Sequence, residues 1–146
     1  MMIEIAKKKD KQKIEKLDRH IPSQCLKECI RKGWVYILRD NEQNHRLQAS
    51  VVGILRYSLF WQTIPFLDLL YLDEAYRNRG FGTEMMRKWE RAMEALGHQY
   101  VMTSTQADED AWRFYEKLGY RKTGGFYPPE QEAEEWIYLK KLKAEK

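Results

Sequence analysis

Two glycines and two arginines lie together where an apolar run gives way to an amphipathic one. The run Leu69–Leu72 is strand-like, Arg77 and Arg79 follow it, and Gly80 and Gly82 open a helical segment. Glycine lets backbone N–H groups approach a ligand without a Cβ in the way. A helix also presents the positive end of its dipole at its first turn. The arrangement therefore predicts a binding site for a phosphorylated ligand.

Two other glycine-rich loops have a spacing that this segment does not match. A P-loop needs Gly-Lys-Ser/Thr after four intervening residues, and nothing after Gly80 supplies that run. The dinucleotide fingerprint needs a third glycine three residues after the second, where Met85 stands. What remains is Arg77-x-x-Gly80-x-Gly82 between a strand and a helix.

In this pattern the chain resembles the GNAT superfamily of acyl-CoA-dependent N-acetyltransferases, whose signature is Arg/Gln-x-x-Gly-x-Gly/Ala in the same setting. The downstream run Ala111–Tyr120 is similar to the second hallmark of that family. It has an alanine, a tyrosine four residues later, and then Glu-Lys-x-Gly-aromatic. The resemblance implies that acetyl-CoA is the co-substrate, that no metal takes part, and that coenzyme A lies where the fourth and fifth strands part.

The resemblance also implies which residues contact the cofactor. Main-chain groups of Leu70 and Leu72 would bond the pantetheine arm and polarise the thioester carbonyl. The pyrophosphate would be held at the loop and helix start, by Arg77, Arg79, Gly80, Phe81, Gly82 and Thr83. The family often has Asn where this chain has Asp108, whose negative charge disfavours the usual contact. Ser104 and Thr105, at the end of the fifth strand, are the candidate substitutes.

Acetyl transfer to an amine needs a group that protonates the leaving thiolate and one that deprotonates the amine. By resemblance, Tyr115 is the general acid; the alternative is a tyrosine that only packs its ring under a helix. Asp68 is the only ionisable residue inside the apolar fourth strand, where desolvation would raise its pKa and suit it to act as the base. The alternatives are that Asp68 has only a structural role and that a chain of waters accepts the proton instead. No cysteine stands in a His/Asn signature, so direct transfer in a ternary complex is favoured.

Periodicity and turn residues predict the elements that position these groups. The expected order is a strand at 3–7, two helices from Asp10 divided at Pro22, strands at 34–38, 47–59 and 66–72, a helix at 83–96, a strand at 100–105, a helix at 108–118 capped by Asp108, and strands at 120–126 and 136–142. Residues 40–44 supply a turn. The fold class is α/β (α+β), a mixed, mostly antiparallel seven-stranded sheet with helices on both faces and a splayed parallel pair, in a single domain spanning 1–146.

Composition limits the partners of this chain of 146 residues. No apolar run approaches the roughly 20 residues that cross a bilayer, so we expect no membrane partner and a cytoplasmic location. The net charge is +4, and the densest basic patch is the lysine-rich segment 7–16. Because Asp10, Glu15 and Asp18 interleave with these lysines, a solvated helix face is favoured over a nucleic-acid site.

These observations predict an N-acetyltransferase whose partners are acetyl-CoA and a primary amine of a small molecule or peptide. Homodimerisation is left open. One alternative is a protein N-terminal or lysine acetyltransferase, and another is a non-catalytic CoA-binding module. The acidic run Glu130–Glu135 would lie on the acceptor side, where it could attract a cationic amine or simply be solvated.

Overall fold

The computed structural model describes residues 1–41 and 50–142. Its elements are β1 (Met2–Ile5), α1 (Lys11–Leu17), α2 (Ser23–Arg31), β2 (Val35–Asp40), β3 (Ser50–Phe60), β4 (Ile64–Leu72), α3 (Phe81–Ala95), β5 (Tyr100–Gln106), α4 (Ala111–Lys117), β6 (Arg121–Phe126) and β7 (Glu135–Lys141). Short 3-10 turns at Lys8–Asp10 and Glu74–Tyr76 precede α1 and α3. The order of strands and helices is the one that the sequence predicts.

The strands form a seven-stranded sheet in the order β1-β2-β3-β4-β5-β7-β6. The pairs β1–β2, β2–β3, β5–β7 and β6–β7 are antiparallel, whereas β4 and β5 are parallel. The parallel register covers only Phe66 opposite Met102 and Leu67 opposite Thr103, although both strands continue beyond these residues. The predicted mixed, mostly antiparallel sheet is therefore confirmed.

The chain divides into two compact units. The first comprises Met1–Ser58 and Leu69–Lys88, and the second comprises Leu59–Asp68 and Trp89–Lys146. The elements β3, β4 and α3 each contribute residues to both units. A single domain over the whole chain stays a prediction.

In the first unit, α1 and α2 pack their apolar faces on the sheet. The core cluster contains Ala6, Ile14, Leu26, Ile30, Val35, Ile37, Val51 and Ile54. Two aspartates share the buried face of the α1 segment: Asp10 bonds Arg39 at 2.6 Å and Asp18 bonds Arg56 at 2.7 Å. Since the carboxylates are paired with arginines of β2 and β3, the helix is fixed to the sheet by charge as well as by apolar contact.

The third strand carries a bulge beside Gly53. Leu38 of β2 faces Gly53 but Arg39 faces Val51, so Val52 is an extra residue on β3. A Cβ on Gly53 would lie 2.5 Å from Cδ2 of Leu72. Glycine is therefore the residue that lets the end of β4 pack closely on β3.

The second unit has a polar network inside its apolar core. Tyr120 donates a hydrogen bond to Glu90 at 2.7 Å, and Lys140 pairs with the other oxygen of Glu90 at 2.8 Å. Tyr120 and Glu90 are 2% and 7% exposed. The tyrosine and the lysine thus compensate a carboxylate that would be costly to bury alone.

One expectation about local structure is wrong, and two others concern residues that lie largely outside the described part of the chain. The last helix begins at Ala111 with Asp110 at the N-cap position, so the prediction that Asp108 caps it is wrong. The chain turns first, through a bond from the Glu109 amide to the Gln106 carbonyl, and the helix starts only after that turn. The predicted turn at 40–44 and the predicted strand start at Leu47 lie largely outside the described residues.

Within residues 1–41 and 50–142, no helix is long and apolar enough to span a bilayer.

Candidate active site

The last residues of β4 present main-chain groups at the edge opposite β3. The amide of Asp73 donates to the Val52 carbonyl at 2.8 Å, so residue 73 faces β3. Successive residues of an extended strand point their N–H and C=O groups in opposite directions. The N–H and C=O groups of Leu70 and Leu72 therefore point away from β3. A ligand that adds to the edge of the strand would bond groups that point in this direction.

The chain then makes a tight turn before α3. Asn78 and Gly80 both adopt left-handed backbone conformations, with φ of +60° and +88°. A Cβ on Gly80 would meet no protein atom within 4 Å, so the space beside this residue is open. Glycine is thus required here by its backbone conformation, and the opening leaves room for a ligand close to the main chain.

Helix α3 begins directly after this glycine. The amide of Glu84 donates to the Gly80 carbonyl at 3.1 Å, which closes the first helical turn. The amides of Phe81, Gly82 and Thr83 precede that bond and have no acceptor within the helix. The helix starts earlier than the predicted 83, so Gly82 lies in its first turn. Three N–H groups without an acceptor inside the helix, together with the helix dipole at an open site, suit an anion such as a pyrophosphate.

Both arginines of the turn lie on aromatic rings. Arg77 donates from Nε to the Leu72 carbonyl at 2.7 Å, and its guanidinium lies 5.2 Å from the ring centre of Tyr71. Arg79 lies 5.5 Å from the ring of Tyr76 and 5.2 Å from that of Phe81. The two positive charges are therefore held beside the helix start by stacking, and within residues 1–41 and 50–142 no carboxylate pairs with either of them.

Tyr76 anchors this turn to the sheet. Its hydroxyl donates to Asp40 at the end of β2, and both side chains are buried. The hydrogen bond to Asp40 and burial raise the pKa of Tyr76. The turn that carries Arg77 to Gly80 is thus fixed at one end by a buried polar pair.

In the second unit, Tyr115 is buried on α4 at 7% exposure. Its ring packs edge-on against Phe114 and Tyr120. Burial raises the pKa of Tyr115 to about 12, partly offset by a hydrogen bond shared with Thr103. The hydroxyl is therefore protonated at neutral pH and able to donate, although it is a weaker acid than a tyrosine in water.

The remaining predicted residues are placed less favourably for their roles. The side chain of Asp68 is exposed rather than desolvated, so its predicted role as a base rests on its position alone. Asp108 is exposed as well. Ser104 donates its hydroxyl to Glu135 at 2.6 Å and is thereby already engaged by the protein.

Several residues that shape the site were not predicted from the sequence. Thr103, whose hydroxyl acts on the pKa of Tyr115, donates its hydrogen to the Leu67 carbonyl at 3.1 Å. The burial of Glu90 could have been predicted from the sequence, because this residue stands four residues after Met86 and three before Met93 on the buried face of α3. The bond from Arg77 to the Leu72 carbonyl leaves no signal in the sequence.

The sequence matches the Acetyltransferase (GNAT) family over residues 3–120. The chain belongs to this family. Both hallmarks of the resemblance lie within the matched range, as does the parallel strand pair that precedes and follows α3. The protein is therefore a GNAT acetyltransferase, and its family uses acetyl-CoA. No curated protein matches the sequence.

Solved structures of this fold resemble the GNAT chain over nearly its whole length. Ard1 from Thermoplasma volcanium is 18% identical with a TM-score of 0.82, covering 98% of each chain. The ribosomal-protein-S18-alanine N-acetyltransferase from Escherichia coli is 13% identical with a TM-score of 0.79, covering 99% of this chain and 96% of that one. Arabidopsis thaliana NAA60 in complex with a bisubstrate analogue is 13% identical with a TM-score of 0.80, covering 97% and 99%. At these identities the likeness establishes the fold.

Proposed function

We propose that this acetyltransferase moves an acetyl group from acetyl-CoA directly to a primary amine of a small molecule or peptide. The observation that carries the proposal is the first unit's combination of a strand edge and a helix start. Leu70 and the amide of Leu72 face the edge opposite β3, while the Leu72 carbonyl accepts a bond from Arg77, and Gly80 opens the approach to the first amides of α3. The strand edge suits the amide-rich pantetheine arm, and the helix start suits the pyrophosphate.

Different residues of this chain would perform the separate roles that acetyl transfer requires. A main-chain N–H of β4 would hold the thioester oxygen as negative charge develops on it, a contribution often worth ~3 kcal/mol. Tyr115 would donate a hydrogen bond to the departing sulfur, and Asp68 or a water would accept the amine's proton. Acetyl-CoA supplies the acyl group, and the bond from carbonyl carbon to sulfur breaks as the bond to nitrogen forms.

Cofactor binding is tested by calorimetry with CoA and acetyl-CoA on a pair of glycine variants. Gly80→Val places a branched side chain at φ +88°, and Gly97→Val does the same at φ +98°, where a Cβ also meets no protein atom. The backbone strain of the two variants is therefore matched. We expect at least tenfold weaker binding for Gly80→Val only, a loss of about 1.4 kcal/mol. Equal affinities would contradict the proposed pyrophosphate site.

Acetyl transfer is tested by thiol release from acetyl-CoA across polyamines, amino acids, aminoglycosides and short peptides. Cys25 is exposed, so its reaction with the thiol reagent is subtracted as an initial offset. Peptides come first in the screen, because the similar Escherichia coli structure is that of an enzyme named for acetylating an alanine of a ribosomal protein. Peptides that differ only in a free or blocked N-terminus separate N-terminal from lysine acetylation.

A non-catalytic CoA-binding module is the competing function. Such a module would bind CoA with the same dependence on Gly80 but would release no thiol with any amine. Tyr115→Phe separates the two further, since only an enzyme has turnover to lose. The cytoplasmic location and the oligomeric state stay predictions.

A further inference from the structure

A cleft in the first unit joins the end of β1 to helix α2. It has a volume of about 500 Å³ and is lined by Ala6, Lys7, Lys8, Lys11, Lys27, Glu28, Ile30 and Arg31. Ala6 and Ile30 are buried and form an apolar floor, whereas Lys7, Lys8 and Lys27 are exposed at its rim. We propose that this cleft, here called the basic cleft, docks a short acidic segment of a protein partner.

Two of the three acidic residues that interleave with the lysines in sequence do not neutralise the basic cleft. Asp10 and Asp18 are 3% and 2% exposed and turn toward Arg39 and Arg56 of the sheet. These two aspartates therefore do not offset the charge of the lysines at the surface. Residues four positions apart lie on the same face of a helix, and the inward face of the α1 segment carries both aspartates. The lysines of this segment remain at the surface.

The carboxylates that do lie near the basic cleft already have cationic partners. Glu28 bonds Arg31 at 2.8 Å, and Glu15 bonds Lys11 at 3.0 Å. Lys7, Lys8 and Lys27 form no ion pair in the described part of the chain. The cleft therefore has uncompensated positive charge around an apolar floor, which favours an anionic occupant.

The lining chemistry favours acidic peptide over nucleic acid or a small phosphorylated ligand. Among the described lining residues there is no aromatic ring on which a base could stack, as single-stranded nucleic acids prefer. There is also no glycine to bring backbone amides to a phosphate. Lysines around an aliphatic floor complement a segment that mixes Asp or Glu with aliphatic side chains, and 500 Å³ accommodates a few such residues.

The proposal is tested by fluorescence anisotropy of a labelled hexapeptide of alternating Glu and Leu, titrated with the full chain. Lys8→Glu/Lys27→Glu reverses two rim charges of the basic cleft. Lys16→Glu/Lys88→Glu is the matched control, because both lysines are exposed and neither lines the cleft. Thermal melting establishes that both variants are folded, and a peptide with Lys in place of Glu controls for sequence-independent binding.

We expect the cleft variant to bind the acidic peptide at least about tenfold more weakly than the control variant. Binding of the wild type should weaken as salt is raised. The proposal is overturned if the wild type does not bind the acidic peptide, or if both variants lose affinity equally, since net charge alone would then be responsible. It is also overturned if a single-stranded hexanucleotide binds more tightly than the peptide at the same salt concentration.

Discussion

Replacing Tyr115 with phenylalanine removes one hydroxyl and keeps the ring that packs edge-on against Phe114 and Tyr120. The direct structural loss is the hydrogen bond shared with Thr103. A net loss of about 1 kcal/mol in the free energy of unfolding is expected for such a bond. The variant should therefore fold, and its kinetics should report on the hydroxyl.

The catalytic loss follows from the acidity of this hydroxyl. A positioned general acid contributes on the order of 10² to 10⁴ in rate. Burial raises the pKa of Tyr115 to about 12, whereas a thiol has a pKa of about 8.5. Because complete transfer to the thiolate is uphill, the hydroxyl acts mainly by donating a hydrogen bond. We expect kcat to fall by about 10²-fold, close to 2.7 kcal/mol in the barrier.

The assay is thiol release at saturating amine, with the affinity for CoA measured separately by calorimetry. The Michaelis constant for acetyl-CoA should change little, since the hydroxyl acts on the leaving sulfur. Tyr120→Phe is the control: it removes a buried hydroxyl that donates to Glu90, so it should lower stability by about 1 to 3 kcal/mol and leave kcat unchanged. An unchanged kcat in Tyr115→Phe, or an equal loss in Tyr120→Phe, would refute the assignment of the general acid.

Three further predictions concern the scaffold. Gly53→Ala should displace Leu72, whose Cδ2 would lie 2.5 Å from the new Cβ, and should raise the Michaelis constant for acetyl-CoA at a stability cost of about 1 to 3 kcal/mol, both measurable on purified variants. Arg56→Met should destabilise the protein in urea by about 3 to 5 kcal/mol because Asp18 is left buried and unpaired, and the added change Asp18→Asn should recover part of the loss. Burial would raise the pKa of Asp10, but hydrogen bonds to a backbone amide and an arginine outweigh it and lower the pKa below its usual 3.8. The stability from this lowered pKa is present above pH 3.8 and lost as pH falls through the lower value, and Asp10→Asn should flatten this acid limb of a melting-temperature profile.

Much of the fold and part of the candidate site were predictable because their signals are local. The order of strands and helices follows from apolar spacing and turn residues within short windows. The loop from Arg77 to Gly82 is recognisable because its glycines and arginines stand within six consecutive residues. The buried face of α3 also follows a local signal, since Met86, Trp89 and Met93 recur at helical intervals and all are buried.

The start of α4 depended on a turn that the sequence did not reveal. Asp108 is a good cap by residue type, but the bond between Glu109 and Gln106 delays the helix to Ala111. Asp68 stands in an apolar run and is nonetheless exposed, because alternate residues of a strand face opposite sides. In both cases the residues nearby in sequence predicted one environment for the aspartate, whereas the path of the backbone placed the aspartate in a different one.

The sequence by itself determined the family, the order of elements and the position of the loop rich in glycine and arginine, because each depends on residues that are close along the chain. The tertiary structure decided where charge is buried and where it is exposed. Asp10 reaches Arg39 across 29 residues and Asp18 reaches Arg56 across 38, and these distant pairings take two carboxylates away from the exposed lysines of the basic cleft. Burial is a property of packed surfaces, so the environment of a side chain is fixed only when segments remote in sequence come together.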